Sequence, residues 1–138
     1  MKIKSALILC AGYGKRLRPI TNDVPKPLLK INNIKLLDNT LKFVQSIGIN
    51  NIKINTFYLA EKIKNFIESK NYPLKIDIVN DGAKILDTGG GIFNLTKHSE
   101  EEDFLILNPD TLWNSNYINV VNEMEKYYFK NKVKNLLM

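Results

Sequence analysis

The sequence predicts an α/β fold in which a mostly parallel sheet is covered by helices on both faces. Short apolar or alternating runs, typical of strands, recur at residues 5–10, 51–57, 74–79 and 103–108. Segments with helical apolar spacing separate or follow them, at residues 34–47, 60–69 and 117–130. Strands that alternate with helices are joined by right-handed crossovers, which produce a three-layer α/β/α arrangement.

The first half of the chain supplies two strands and two helices. The continuous apolar run Ser5–Cys10 is typical of a strand buried on both faces of a parallel sheet. Apolar residues in Ile34–Ile47 recur at mostly helical spacing, and Gly48 is a suitable C-terminal cap. Asn51–Phe57 alternates and predicts a second strand, whereas Ala60–Ser69 places its apolar residues on one helical face.

The second half continues the same alternation. Leu74–Val79 predicts a third strand, and a glycine-rich segment then leads into a short helix before a fourth strand at Asp103–Asn108. Tyr117–Lys130 predicts an amphipathic helix whose inward residues are Val120, Val121, Met124 and Tyr128. Val133–Met138 predicts the start of a fifth strand. Because a core strand that ends in apolar residues leaves its neighbours unpaired, we expect the chain to be incomplete at its C-terminus.

Composition is consistent with one domain over residues 1–138. The chain is 44% hydrophobic and carries a formal charge of +6, with a sequence pI near 9.3. The charge suits phosphorylated ligands as well as nucleic acid, but no nucleic-acid recognition motif is present, so we expect no nucleic-acid partner. Cys10 is the sole cysteine, which excludes an internal disulfide. No segment approaches the roughly 18 apolar residues of a membrane span, so a cytoplasmic protein is expected.

The segment Leu9–Leu29 is the most unusual part of the sequence, because it holds both arginines and three of the five prolines. Gly12 and Gly14 permit close approach of the backbone to a ligand, although a bare G-x-G also occurs in ordinary strand-to-helix turns. A guanidinium such as that of Arg16 binds phosphate through two hydrogen bonds. Lys26 adds a cation between two prolines that stiffen the backbone. The combination favours a phosphate-binding loop over a solvated basic loop.

Two further loops follow predicted strands and carry polar residues. Asp110 can be a Mg²⁺ ligand, and it can equally serve a turn after a proline. Asp87–Gly91 can be a flexible turn, or a helix start open to an anionic sugar phosphate. His98 is expected at the surface and Trp113 in the core. Since the carboxyl ends of parallel strands meet at one edge, we expect the loops Ala11–Pro27, Asp81–Gly91 and Asn108–Asp110 to converge on one crevice.

The stretch "LCAGYGKRLRPITNDVPKPL", Leu9 to Leu28, resembles the signature of the sugar-1-phosphate nucleotidylyltransferases. The segments "NTFYLAEKI", "LDTGGGIFNL" and "LNPDTLW" occur in order where that family carries its further motifs, so the resemblance spans nearly the whole chain. The triple glycine after Asp87 and Thr88 is most similar to the N-acetylmuramate-1-phosphate uridylyltransferases. Heptose- and mannose-1-phosphate guanylyltransferases are the nearest alternatives. The resemblance implies a Rossmann-like nucleotidyltransferase fold.

The family resemblance also implies a role for individual residues. Nucleobase contacts would come from the backbone of Cys10, Ala11 and Gly12. Phosphate contacts would come from Gly14 and Lys15, with Arg16 on the leaving pyrophosphate and Lys26 on the α-phosphate and the sugar phosphate. Substrate contacts would come from Asn55, Thr88, Gly89 and Asn108. Asp110 would bind Mg²⁺, the expected cofactor.

The implied reaction joins an NTP, expected to be UTP, to a sugar 1-phosphate and releases pyrophosphate. A sugar phosphate is largely dianionic near pH 7, since its second pKa is about 6, so it needs no general base. Two departures from the family pattern stand out. Pro109 replaces the usual small residue before the metal-binding Asp, and the family's second metal-binding Asp lies beyond this chain. A nucleotide-sensing module without turnover is therefore the other reading.

Overall fold

The computed structural model describes residues 2–97 and 99–138, so the predicted surface position of His98 lies outside the described residues. The strands are β1 (Ser5–Leu9), β2 (Lys30–Ile31), β3 (Ile34–Lys35), β4 (Asn51–Thr56), β5 (Lys75–Asn80) and β6 (Phe104–Leu107). The helices are α1 (Leu36–Ser46), α2 (Ala60–Glu68), α3 (Thr88–Thr96) and α4 (Asn116–Asn131). Three single 3-10 turns lie between β1 and β2, at Lys15–Leu17, Ile20–Asn22 and Lys26–Leu28.

The main sheet has four parallel strands in the order β5-β4-β1-β6, and β2 pairs with β3 in a separate antiparallel hairpin. The chain moves from β1 outward through β4 to β5, then returns to place β6 on the free side of β1. Strand order therefore reverses at β1. In open α/β sheets, ligands bind beyond the carboxyl ends of the strands at such a reversal.

The two faces of the sheet are covered unequally. On one face, side chains of α1, α2 and α4 join Ala6, Ile8, Ile52 and Ile54 of the sheet in a continuous buried core. On the other face, α3 packs across β1 and β4. Leu7 of β1 and Leu95 of α3 are both fully buried, which fits the alternation of side chains along a strand. The predicted α/β/α layering is confirmed.

The predicted helices and four predicted strands are present with small shifts at their ends. Gly48 ends the first helix as expected, because its φ of 84° is the left-handed conformation that favours glycine. Its N–H donates to the carbonyl of Gln45 at 3.0 Å, and the N–H of Ile49 donates to that of Val44 at 3.2 Å. None of the helices among the described residues combines the length and apolar character needed to cross a membrane.

Two expectations about the predicted helices are wrong. Ile34 and Lys35 form β3 rather than the start of the helix, because Asn32 and Asn33 adopt positive φ and turn the chain back onto β2. Val120 points outward and is 43% exposed, since the face of α4 that meets the core is the one carrying Val121.

The predicted fifth strand at Val133–Met138 is also wrong, because no strand in the described part of the chain pairs with these residues. Lys132 follows α4 with a left-handed φ of 52°, which reverses the chain. Leu136 then comes back beside Val120 and Tyr127 on the outer face of α4. A strand forms when a neighbouring strand accepts and donates its backbone hydrogen bonds, and this segment lies against side chains of α4 instead.

Candidate functional site

The first loop, residues 10–29, connects β1 to the hairpin and is organised around Gly14. Gly14 has a φ of 63°, and a Cβ at this position would lie 3.0 Å from Cγ2 of Thr21. Its carbonyl accepts hydrogen bonds from the N–H of Leu17 and from Oγ1 of Thr21, both at 2.9 Å. Gly14 is therefore required for its conformation and for its lack of a side chain, and it starts the turn that exposes Arg16.

The start of the first loop passes from buried to open backbone. Cys10 and Ala11 are buried, whereas a Cβ on Gly12 would meet no atom within 4 Å. Burial raises the pKa of the Cys10 thiol, so this side chain stays neutral. The N–H of Cys10 already donates to Oδ1 of Asn55 at 2.8 Å. The open backbone for a ligand therefore begins at Gly12, and the predicted nucleobase contacts stay a prediction.

Lys26 and Asp110 are brought into direct contact. Pro25 and Pro27 are buried and hold Lys26 in a 3-10 turn, from which Nζ forms an ion pair with Oδ2 of Asp110. The two side chains are 31% and 42% exposed, so the pair adds little stability. The structure thus joins, across 84 positions of sequence, the lysine and the carboxylate that the sequence had singled out separately.

Asp110 is held in place by the segment that follows it. Trp113 stacks on Phe43 of α1 with ring centroids 4.8 Å apart and planes at 12°, which confirms its predicted core position. The backbone of Trp113 forms two hydrogen bonds with the side chain of Asn39, at 2.8 and 2.9 Å. Asp110 therefore lies on a short connection fixed at one end by β6 and at the other by this aromatic anchor.

Asn55 connects the ends of three strands underneath the loops. Its side chain is 3% exposed; Oδ1 accepts from Cys10, and Nδ2 lies 3.2 and 3.3 Å from the two carboxylate oxygens of Asp81. Asp81 is also buried and lies 3.4 Å from Nδ2 of Asn94 on α3. A Cβ on Gly91 would lie 2.7 Å from Nδ2 of Asn55. The predicted substrate contact of Asn55 stays a prediction.

Sequence reasoning missed the way in which the buried Asn55 and Asp81 meet, with Asn94 beside Asp81 and Gly91 against Asn55. A signal was present, because both β4 and β5 run into polar residues, "NT" and "ND", at their carboxyl ends. Buried polar side chains require hydrogen-bond partners, so two of them on neighbouring strands indicate a shared network.

Thr88, Gly89 and Asn108 lie exposed at the same edge of the sheet. Thr88 and Gly89 begin α3, where Asp87 is the N-cap and its side chain accepts from the N–H of Gly90 at 2.7 Å. Asn108 directly follows β6. The predicted convergence of the three loops on one edge is therefore observed, while the individual contacts of these residues with a substrate stay predictions.

The candidate site offers few ligands for a magnesium ion. Among the described residues, no three His, Cys, Asp or Glu side chains are grouped so that they could hold a metal ion. Asp110 supplies one accessible carboxylate. Because Mg²⁺ is commonly bound by one or two carboxylates together with phosphate oxygens and water, Asp110 fits as one protein ligand to a magnesium–phosphate complex.

Comparison with known proteins identifies the family. The family model described as Nucleotidyl transferase matches residues 5–136. The chain belongs to this family. It is 31% identical to the N-acetylmuramate alpha-1-phosphate uridylyltransferase of Caulobacter vibrioides over 113 residues, which cover 80% of this chain and 47% of the relative. It is 32% identical to the D-glycero-alpha-D-manno-heptose 1-phosphate guanylyltransferase of Aneurinibacillus thermoaerophilus over 108 residues, 78% of this chain and 46% of the relative.

Solved structures support the same fold. A UDP-glucose pyrophosphorylase complexed with UDP-glucose superposes with a TM-score of 0.80 and 21% identity, covering 94% of this chain and 55% of that one. HddC from Yersinia pseudotuberculosis complexed with GMP-PN gives 0.75 and 27%, covering 88% and 54%. The nucleotidyltransferase fold implied by the sequence is therefore confirmed. The chain spans about half the length of the relatives that it matches.

Proposed function

We propose that the protein transfers a nucleotidyl group from an NTP to a sugar 1-phosphate and releases pyrophosphate. The observation that carries this proposal is the meeting of the first loop with Asp110 at the reversal point of the sheet. Open glycine backbone, an exposed arginine and the Lys26–Asp110 pair lie there together. Such a set suits a polyphosphate with a bound divalent cation. The family membership of residues 5–136 supports the same reaction class.

In the proposed reaction, an oxygen of the sugar phosphate forms a bond to the α-phosphorus, and the bond from that phosphorus to the β-phosphate bridging oxygen breaks. Arg16 stabilises the charge that grows on the departing pyrophosphate. Lys26 exchanges the Asp110 carboxylate for the α-phosphate and brings the two anionic reactants together. When bound, Mg²⁺ supplies further neutralisation of the phosphate charge, with Asp110 as its protein ligand.

The preferred substrates within this proposal are UTP and N-acetylmuramate 1-phosphate. The "DTGGG" start of α3 and the uridylyltransferase relative support this pair. A guanylyltransferase acting on heptose or mannose 1-phosphate is the second candidate, because a relative of that kind has similar identity and coverage.

The reaction is tested by measuring pyrophosphate release with each NTP, Mg²⁺ and a panel of sugar 1-phosphates. Because the chain spans about half the length of its relatives, the assay includes both the 138-residue chain and any longer product of the same gene. Release with UTP and N-acetylmuramate 1-phosphate is expected. Release with GTP and a heptose or mannose 1-phosphate would favour the second candidate, and NTP binding without any release would favour a sensing module.

The roles of the two cations are tested by Arg16→Ala and Lys26→Ala in whichever form turns over. Each change removes a charge aimed at the phosphates, so we expect kcat to fall by about 100-fold or more. Near-wild-type turnover in both variants would overturn the proposed mechanism.

A further inference from the structure

We propose that Tyr58 is a positioning residue of the candidate site, which holds the first loop in the conformation that presents its cations. The proposal rests on the proposed function in one respect, namely that the ligand of this loop is an NTP. Tyr58 lies in the short connection between β4 and α2, outside the first loop.

Tyr58 contacts the first loop at two separated points. Its hydroxyl lies 2.9 Å from the carbonyl of Thr21 and 2.9 Å from that of Asn22, so one O–H is shared between two acceptors. Its backbone N–H donates to the carbonyl of Ala11 at 3.4 Å. A single residue therefore joins the beginning of the loop to its middle.

The surroundings of Tyr58 add contacts to the same segment. The ring of Tyr13 lies 5.2 Å from the ring of Tyr58 and 5.9 Å from that of Phe57, centroid to centroid. Lys62, on the first turn of α2, donates from Nζ to the carbonyl of Asp23. The loop is thus held against the start of α2 by aromatic packing and by hydrogen bonds to its carbonyls.

Thr21 carries the effect of Tyr58 to the two cations. Thr21 is fully buried, and its own Oγ1 donates to the carbonyl of Gly14, which closes the turn containing Arg16. Thr21 and Lys26 both pack against the Cα of Gly14. A Cβ built on Gly14 would lie 3.0 Å from Cγ2 of Thr21 and 3.4 Å from Cβ of Lys26. Displacement of the Thr21 backbone would therefore move the supports of both Arg16 and Lys26.

The first loop depends on such contacts because its regular structure is limited to three single 3-10 turns. Ordering a loop backbone costs conformational entropy at every residue, and short turns return few hydrogen bonds for that cost. Removal of the Tyr58 hydroxyl leaves carbonyls of Thr21 and Asn22 without this donor. We expect residues 12–24 to open more often, while the sheet and helices stay intact.

The test compares Tyr58→Phe with Tyr72→Phe, a matched control. Tyr72 also loses one hydroxyl hydrogen bond, in this case the one of 2.7 Å to Oδ1 of Asp38 on α1. Amide hydrogen exchange is measured on the free chain, and the Kd of each of the four Mg·NTPs is measured by calorimetry. Tyr58→Phe should increase exchange across residues 12–24 and raise the Kd of the NTP that binds by roughly fivefold to tenfold, the loss expected for one hydrogen bond.

The control variant should lower the unfolding temperature without changing either readout in the first loop. Unchanged exchange across residues 12–24 in Tyr58→Phe would overturn the positioning role, whether or not a nucleotide binds. Increased exchange with an unchanged Kd would also overturn it, since a loop that opens too rarely to affect binding does not need Tyr58 to hold it in place. Absence of binding of every NTP to the wild type would instead overturn the proposed function.

Discussion

The contact between Gly91 and Asn55 gives a sharp test of how the candidate site is held together. Gly91 lies in the first half of α3, and a Cβ added there would be 2.7 Å from Nδ2 of Asn55. Ordinary contact begins at about 3.4 Å, so Gly91→Ala requires a shift of about 0.7 Å (3.4 − 2.7). The Asn55 side chain has little space in which to move, because it is 3% exposed and bonded to Cys10 and Asp81.

The expected cost combines three effects. Overpacking of a well-packed interior costs about 1–3 kcal/mol. A buried donor or acceptor left unsatisfied costs a further 1–3 kcal/mol or so, and the amide of Asn55 serves both Cys10 and Asp81. Alanine gains up to about 1 kcal/mol over glycine in a helix, which offsets part of this cost. The structure can relieve the clash either by tolerating the close contact or by giving up a hydrogen bond, so the first two costs do not add in full. We therefore expect Gly91→Ala to lower the free energy of unfolding by about 2 kcal/mol.

The measurement is urea unfolding followed by circular dichroism, with Gly89→Ala as the matched control. A Cβ on Gly89 would have an ordinary contact of 3.7 Å with Oδ1 of Asp87, so the control should be neutral or slightly stabilising. The double variant Gly91→Ala with Asn55→Ala should cost less than the sum of the two single variants, because the clash is then absent. Equal stability of Gly91→Ala and Gly89→Ala, or simple additivity in the double variant, would show that the contact between residue 91 and Asn55 does not limit stability.

Two further predictions concern charged groups. Asp110→Asn removes a largely solvated ion pair with Lys26, so the free energy of unfolding should change by less than about 1 kcal/mol. In thermal-shift measurements on this variant, the stabilisation by NTP should no longer depend on Mg²⁺. Persistence of that dependence would exclude Asp110 as the metal ligand. Partial burial acts to raise the pKa of Asp38, but the hydrogen bond from Tyr72 and the ion pair with Lys42 outweigh it and leave that pKa below its ordinary value. Because the pKa of Asp38 is lower in the folded state, its carboxylate stabilises the fold at pH values above the unfolded pKa of about 3.9, and this stabilisation disappears as the pH falls through the folded pKa. The wild type should therefore lose more stability than Asp38→Asn between about pH 5 and 3. Parallel pH profiles of the two proteins would contradict this assignment.

The order and type of the main elements could be predicted from the sequence because they depend on local patterns. The apolar run of β1, the alternation in β4 and β5, and the helical spacing in α1 and α2 all carry a period that matches one structure. The errors arose where burial depends on neighbours. Val133–Met138 has strand-like composition, but a strand also requires a pairing partner, and a pattern within one segment does not contain that information.

The part of the candidate site that is distinctive within one segment could be predicted, whereas the part that depends on distant contacts could not. Gly14, Arg16 and Lys26 stand out because glycine, arginine and proline-flanked lysine are chemically distinctive within one short segment. Tyr58 and Gly91 do not stand out in this way. Their importance rests on hydrogen bonds and close approaches to residues that are 36 or more positions distant in the chain.

Local patterns in the sequence were enough to predict the α/β class, the convergence of three loops at the carboxyl edge of the sheet, and the residue types expected to meet a phosphorylated ligand. These follow from periodicity and from the rule that parallel strands end at a common edge. The pairing of Lys26 with Asp110, and the position of Asn55 as a buried connector beneath the loops, became visible in the folded chain alone. A hydrogen bond or an ion pair depends on distances of a few ångströms between atoms, and the packing of distant segments sets those distances.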